Sequence, residues 1–423
     1  MFAVAPSGAV AQPPARLALL GTGTVGNAVL QRLAQWQGTP LGARLSLVHA
    51  ANSRHVVSRR SGIAADRIAD LLARGRHAST LDAIAGSLHG DGVHAEGMRI
   101  VIDATASEAV AERHASWLAQ GIHVVTACKL GQGTSLARWR AIRAACAQGG
   151  TRYGDSATVG AGLPVLRSIR ELQAGGDRIH AIAGVLSGSL AWLCNHYDGL
   201  RPFSGFVREA REAGYTEPDP REDLSGEDVC RKLLILARAA GVELDADEVD
   251  VGSLVPSRLA ALASEDVDAA LPALDAPLRE RYAAAYKKGE KLRFIARLEG
   301  AHAGQARACV GLESLSPEHP LAGGAGTDNR VAIWSDRYCE QPLVIQGPGA
   351  GAQVTAAALL DDVLAIAEHA ATEHSTRAHS ATEHSARAHS ATAHAATDHV
   401  LPAHAAGFGV DQARIEAGAI AAA

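Results

Sequence analysis

A short apolar run over residues 16–20 leads into Gly21-Thr22-Gly23-Thr24-Val25-Gly26, and a helical apolar pattern (Val29, Leu30, Leu33) follows at once. Nothing else in the chain restricts its fold as much. Glycines at GxGxxG spacing between a strand and a helix permit a tight turn, let the backbone approach an anion, and bring the helix close to the strand. The unpaired N–H groups of the helix N-terminus then face that anion. Alone the motif is weak, because many glycine-rich turns are only turns. Its setting strengthens it: further strands are expected at 45–50, 100–105 and 123–126, with helices at 106–120 and 134–148 between them. Alternating strands and helices imply a parallel sheet covered on both faces.

The texture changes after Gly150. Strand-like runs at 179–185, 292–298, 308–312, 331–334 and 342–346 mix with helical patterns at 189–197 and 225–240. The expected fold class is therefore α/β: a Rossmann-type nucleotide-binding domain over 16–150, then an α+β substrate-binding, catalytic and dimerisation domain with a mixed sheet over 151–349. An open mixed sheet can pair or stack with that of a second subunit, so a homodimer is expected. Residues 1–15 read as a disordered leader.

From 369 to 423 the chain is a low-complexity Ala/His-rich tail, with histidines every fifth residue from His369 to His404. Five residues advance a helix by about 140°, so these histidines share no face. A repeat expansion explains them better than a metal tag.

Hydrophobic residues make up 47% of the 423, ample for two cores, and the net charge of −5 argues against an electrostatic grip on nucleic acid or anionic lipid. The cysteines form no CxxC pair, as in a protein with reduced thiols. No apolar run reaches the ~20 residues a bilayer span requires. A cytoplasmic location is expected.

The end of the second expected strand reads Ala51-Asn52-Ser53-Arg54. An acid there would bind a ribose 2′-hydroxyl, whereas Arg54 suits a 2′-phosphate, so NADP is favoured over NAD.

The densest chemistry lies between Gly214 and Lys232, where six acidic side chains and one lysine run into a helix start beside Leu233-Leu234-Ile235-Leu236. Asp228 and Lys232 are four apart and share a helix face, while Val229, Leu233 and Leu236 form an adjacent apolar row. Ser225 would cap this helix, with Asp228 as the boxing acid.

Together with Val124-Val125-Thr126-Ala127-Cys128-Lys129, the run Ala157 to Pro164, Leu186-Ser187-Gly188-Ser189-Leu190 and Gly349-Ala350-Gly351, this stretch resembles homoserine dehydrogenase over about residues 16–368. The similarity is greatest to the dehydrogenase half of bifunctional aspartate kinase–homoserine dehydrogenases. The resemblance implies reversible reduction of L-aspartate 4-semialdehyde to L-homoserine with NAD(P)H, on the route to threonine, methionine and isoleucine.

It further implies that Lys232 is catalytic and that Glu217 and Asp228 hold the substrate's amino group. Asp223 supports the site, and Lys129 lies near nicotinamide and substrate. Gly21, Gly23, Thr24, Val25, Gly26, Arg54, Thr105, Gly214 and Gly349 line the cofactor. A return helix at 350–368 packs against the nucleotide domain. A monovalent cation, usually sodium, is held through the backbone of Ser156, Val159, Ala161 and Leu163.

Two positions depart from the family pattern. Cys128 replaces an asparagine, and a thiol lacks the amide's donor and acceptor set. Ser156 replaces an acid, which would remove a negative charge from the cation site. Two rivals follow. A semialdehyde oxidoreductase of another kind, such as aspartate-semialdehyde dehydrogenase, would need a nucleophilic cysteine, for which Cys128 is the candidate. A non-catalytic NADP-binding regulatory homologue is opposed by the intact Lys232, Asp228, Glu217 and Lys129.

Overall fold

The computed structural model describes residues 13–369, except 76, 79, 90–96, 303 and 305. The expected leader and tail fall largely outside the described residues. Two six-stranded sheets carry the fold. The first contains β1 (Ala15–Leu20), β2 (Leu45–Ala51), β3 (Val56–Ser58), β4 (Arg99–Asp103), β5 (His123–Thr126) and β6 (Tyr153–Gly154), in the order β3-β2-β1-β4-β5-β6. All neighbours are parallel except β2 and β3.

β1 alternates between the faces as a doubly covered strand must. Leu17 and Leu19 join one core with Val29, while Ala18 and Leu20 join the other with Trp117, Leu118 and Ile142. Strand order reverses between β1 and β4, where Leu20 lies opposite Asp103. Ligands of open α/β sheets bind outside the carboxyl ends of strands at such a switch point.

The short edge strands β3 and β6 have no periodicity long enough to be read from sequence. The helix at 352–369 returns to this layer and places Leu359, Leu360 and Val363 in its core, fully buried. Each such side chain contributes about 1.5–3 kcal/mol of transfer free energy.

The second sheet contains β7 (Ile179–Val185), β8 (Val249–Val251), β9 (Lys291–Glu299), β10 (Arg307–Leu315), β11 (Asp328–Ser335) and β12 (Leu343–Pro348). Its order is β12-β11-β7-β9-β10-β8, antiparallel except for the β8–β10 pair, so it is mixed as expected. Helices cover one face. Across that interface Val229, Leu233 and Leu236 of the helix Glu227–Ala239 share a core with Phe294, Leu298 and Val310. Among the described residues no helix is long and apolar enough to cross a membrane.

The helix start differs from the expected cap. Gly226, at φ 80°, occupies the N-cap position. Ser225 closes the short helix Arg221–Leu224, donating its hydroxyl to the Glu222 carbonyl at 2.9 Å, and its Oγ also accepts the N–H of Glu227 at 3.2 Å. No capping box forms with Asp228. An abrupt turn between two helices, rather than a single entry, leaves that carboxylate to other partners.

Candidate active site

The glycine loop leaves β1 at Gly21 with φ 87°, and a β-carbon there would fall 2.8 Å from the Ala104 carbonyl oxygen. Loop and β4 therefore touch at the switch point. Gly23 caps the helix Thr24–Gln35, and open space surrounds the position its β-carbon would take. The leading N–H groups, from Thr24, Val25 and Gly26, have no intrahelical partner. The residues present thus suit a dinucleotide's pyrophosphate.

Thr105 follows β4 and turns inward, its backbone N–H and hydroxyl donating to Asp103 Oδ1 at 2.9 and 2.6 Å. Beyond β2, Asn52 Oδ1 accepts from the backbone of Arg54 (2.9 Å) and His55 (2.7 Å). That Asx turn fixes the Arg54 backbone, and its guanidinium has no protein partner among the described residues. Gly349 abuts the buried Asn329 amide: a β-carbon would fall 1.7 Å from its Oδ1. Gly214, at φ 74°, ends the segment after the helix Phe203–Glu212.

The charged cluster forms where the two sheets' layers meet. Asp228 bridges two lysines: Lys129 Nζ is 3.2 Å from Oδ1 and Lys232 Nζ 2.8 Å from Oδ2. Lys232 also donates to the Leu186 carbonyl at 2.7 Å. An ammonium has three N–H bonds, so Lys232 has one left for a ligand. Its side chain is 12% exposed, against 42% for Asp228. Burial pushes the Asp228 carboxyl up, but Lys232 and Lys129 outweigh it and hold it at about 2. Burial pulls Lys232 below its ordinary value, aided by Lys129 and opposed by Asp228 and Asp223.

Asp223 has no contact with either lysine's nitrogen. It accepts from Ser189 Oγ at 2.7 Å and from the Glu217 backbone at 2.8 Å, tying the acidic turn to the start of the helix Gly188–His196. The exposed Glu217 carboxylate has no protein partner among the described residues.

A buried network supports this cluster from below and was not anticipated from sequence. Asp103, fully buried, receives Thr105 on one oxygen, and His114 Nε2 (3.1 Å) and Thr126 Oγ1 (3.0 Å) on the other. His114 Nδ1 meets the Tyr153 hydroxyl at 2.9 Å, and Thr126 Oγ1 accepts from the Cys128 backbone at 2.9 Å. An acid closing the apolar run of β4 was the one available signal.

Cys128 is 4% exposed, and burial first, then Asp103, pushes its thiol up to about 11. A thiol so protonated at neutral pH is a poor nucleophile, which weighs against thioester chemistry. Cys128→Ala is expected to keep hydride transfer within a few-fold of the parent. Complete loss, measured as steady-state turnover of folded protein, would restore a role for the thiol.

Ser156 meets an acid from a distant part of the chain. Asp362, from the returning helix, accepts from the Ser156 backbone at 2.9 Å and from its hydroxyl at 2.7 Å. Burial raises this carboxyl to about 6, partly offset by those hydrogen bonds. The adjacent Asp155 is fully buried and paired with Arg170 at 2.7 Å, so Asp362 is the acid that meets Ser156 itself. Val159, Ala161 and Leu163 follow in a turn where Ala161 is the one non-glycine with positive φ (50°) among the described residues. Those residues contain no cluster of three or more His, Cys, Asp or Glu able to hold a metal, so a cation here would depend on carbonyl oxygens.

Family profiles match two stretches: "Homoserine dehydrogenase, NAD binding domain" over residues 21–154 and "Homoserine dehydrogenase" over residues 164–364. The chain is 35% identical to a homoserine dehydrogenase of Emericella nidulans, over 84% of this chain and 99% of the relative. It is 36% identical to bifunctional aspartokinase/homoserine dehydrogenase 2 of Arabidopsis thaliana, covering 84% of this chain but only 38% of that longer protein. A crystal structure of a Candida auris protein of unknown function superposes with a TM-score of 0.76 at 32% identity, over 84% of this chain and 98% of the other. A hyperthermophilic archaeal homoserine dehydrogenase solved in complex with NADPH shares the fold, with a TM-score of 0.62 at 18% identity over 83% and 97% of the two chains.

Proposed function

The chain belongs to the homoserine dehydrogenase family, and from that premise we propose that it reversibly reduces L-aspartate 4-semialdehyde to L-homoserine. The observation that carries this reading is the Lys129–Asp228–Lys232 bridge, with one ammonium N–H of Lys232 still free. The substrate is a zwitterion bearing an aldehyde. Its ammonium suits the unpaired Glu217 carboxylate and the outer lone pairs of Asp228, and its carbonyl oxygen suits Lys232. As that oxygen gains negative charge, the nearby ammonium stabilises it and donates the proton. Burial has already weakened Lys232's hold on that proton. Lys129 adds positive charge beside the carbonyl. Asp223 acts at one remove by fixing Glu217 and Ser189. A bound nicotinamide cofactor supplies the hydride.

NADP is the proposed cofactor, and the free Arg54 guanidinium after β2, with no acid at that strand end, supports it over NAD. A sodium ion held by the carbonyls around Ser156, Val159, Ala161 and Leu163 is supported by the left-handed turn at Ala161 and the Asp362 carboxylate. A homodimer is supported by the less covered face of the second sheet, where Ala181, Cys309, Trp334 and Val344 remain partly open.

The test is oxidation of L-homoserine, followed by absorbance of the reduced cofactor with NADP and NAD in parallel. Homoserine-dependent reduction, faster with NADP, is expected. Arg54→Ala should then weaken NADP binding roughly tenfold and leave NAD unchanged. Equal use of both cofactors by the parent would overturn the role of Arg54. No turnover by folded protein would favour the non-catalytic reading.

A further inference from the structure

Arg238 closes the helix that carries Asp228 and Lys232, and its side chain points back toward the loop that carries Lys129. Its guanidinium donates to the Gln132 carbonyl, to Thr134 O at 2.7 Å and to Leu244 O at 2.8 Å. The residue is 3% exposed, and its Nε has no hydrogen-bond partner. A buried guanidinium that meets carbonyl oxygens and contacts no carboxylate is a costly way to fill space. An apolar side chain would fill it at lower cost. What the arginine adds is direction, because its planar fork grips two carbonyls of one loop at fixed angles.

The same loop is pressed onto the helix elsewhere. Gly133 lies so close that a β-carbon would fall 2.8 Å from Lys129 O and 2.9 Å from Arg231 O. Its N–H donates to Lys129 O at 2.7 Å, closing a tight turn. At the loop's start, the Cys128 N–H is held by Thr126, which is held by the buried Asp103. Lys129 is therefore held from both sheets' layers, with Arg138 Nη1 also donating to the neighbouring Leu130 carbonyl at 3.0 Å. Arg238 ties this loop to the helix of Asp228 and Lys232 through two backbone carbonyls, beside the Gly133–Arg231 contact and the Lys129–Asp228 ion pair.

We propose that Arg238 is a positioning residue for the reaction: by holding the carbonyls of Gln132 and Thr134 it sets the distance between Lys129 and Asp228. It touches no reactant and acts through Lys129. The inference rests on the catalytic reading of the Lys129–Asp228–Lys232 cluster.

The experiment is a double-mutant cycle on the full chain with Lys129→Met, Arg238→Met and the pair. Semialdehyde reduction is followed across pH, and NADPH affinity is followed by fluorescence. Arg238→Met should lower kcat on the order of tenfold to a hundredfold, as expected for a displaced catalytic group, with NADPH affinity kept. In the double variant the losses should not multiply, because Lys129→Met already removes the group that Arg238 positions.

The pH profile supplies a second readout. The charged groups acting on Lys232 are Asp228 on its own helix, Asp223 from the preceding turn and Lys129 from the loop. Moving Lys129 away removes a like charge, so the alkaline limb of semialdehyde reduction should shift to higher pH in both single variants. A merely structural arginine would lower thermal stability without that shift.

If Arg238→Met does not fold, Gly133→Ala opens the same junction from the loop side and takes its place in the cycle. Multiplicative losses with an unmoved alkaline limb would overturn the inference alone. A silent Lys129→Met would overturn the reading of the cluster, and this inference with it.

Discussion

Lys232→Ala is expected to lower semialdehyde reduction by more than about a thousandfold, while the variant folds and binds NADPH as the parent does. Loss of a positioned proton donor costs about 10²–10⁴ in rate, and loss of an electrostatic partner for the developing oxyanion about 10²–10³. Both roles fall on one nitrogen here, so the two costs overlap rather than multiply.

Folding should tolerate the change. The folded-state pKa of Lys232 is lowered, meaning that burial disfavours its charged form, so removing the charge sacrifices little stability. The same direction fixes the pH behaviour of the parent. Activity in the reducing direction should fall with rising pH as Lys232 loses its proton, at a pH below the ordinary lysine value of about 10.4. The measurements are kcat for semialdehyde reduction, a thermal melt and a fluorescence titration with NADPH. Turnover above a tenth of the parent's would remove Lys232 from the mechanism.

Asp228→Asn should cost about 10²–10³ in kcat/KM by a different route. Asp228 is the single carboxylate between two ammonium groups, at 3.2 and 2.8 Å. An amide keeps the shape but leaves two lysines repelling one another and gives the substrate's ammonium no charge to pair with, and losing one partner of a buried hydrogen-bonded charge pair costs about 2–5 kcal/mol in binding. The 42% exposure of the side chain trims that toward the lower end.

Because Asp228 raises the Lys232 pKa, its loss should move the alkaline limb to lower pH, opposite in sign to the shift expected for Lys129→Met. In the parent, the carboxyl held at about 2 contributes stability that is present above its unfolded value near 3.9 and lost as pH falls from about 4 to about 2. Asp228→Asn should flatten that part of the acid denaturation curve. A limb that stays in place, with kcat/KM within threefold of the parent's, would reduce Asp228 to a surface partner of Lys232.

The glycine loop, the strand ends and the apolar row Val229-Leu233-Leu236 were legible because each is written in adjacent residues at the period of one element. The Asp228–Lys232 pair was legible for the same reason, since i and i+4 on a helix are neighbours whatever surrounds them. Edge strands of two or three residues, such as β3 and β6, were not, because their pairing rather than their pattern makes them strands.

The N-cap falls on Gly226, one position beyond Ser225, because the turn between Arg221–Leu224 and Glu227–Ala239 is set by how two helices meet. The approach of Asp362 to Ser156 was not legible for a similar reason. Asp362 lies 206 positions away and reaches Ser156 only because Leu359, Leu360 and Val363 dock their helix on the first sheet's layer.

Sequence alone determined the two-part α/β plan, the nucleotide loop and the lysine and carboxylates of the acidic stretch. These rest on local periodicity, backbone freedom and charge, none of which needs a distant partner. Tertiary structure alone decided that Lys129 and Lys232 share one carboxylate, that Asp103 anchors the Lys129 loop through Thr126, and that Arg238 ties this loop to the helix of Asp228. Those contacts join residues 23 to 106 positions apart. Their energies exist only once burial has removed competing water and brought the groups to hydrogen-bonding distance.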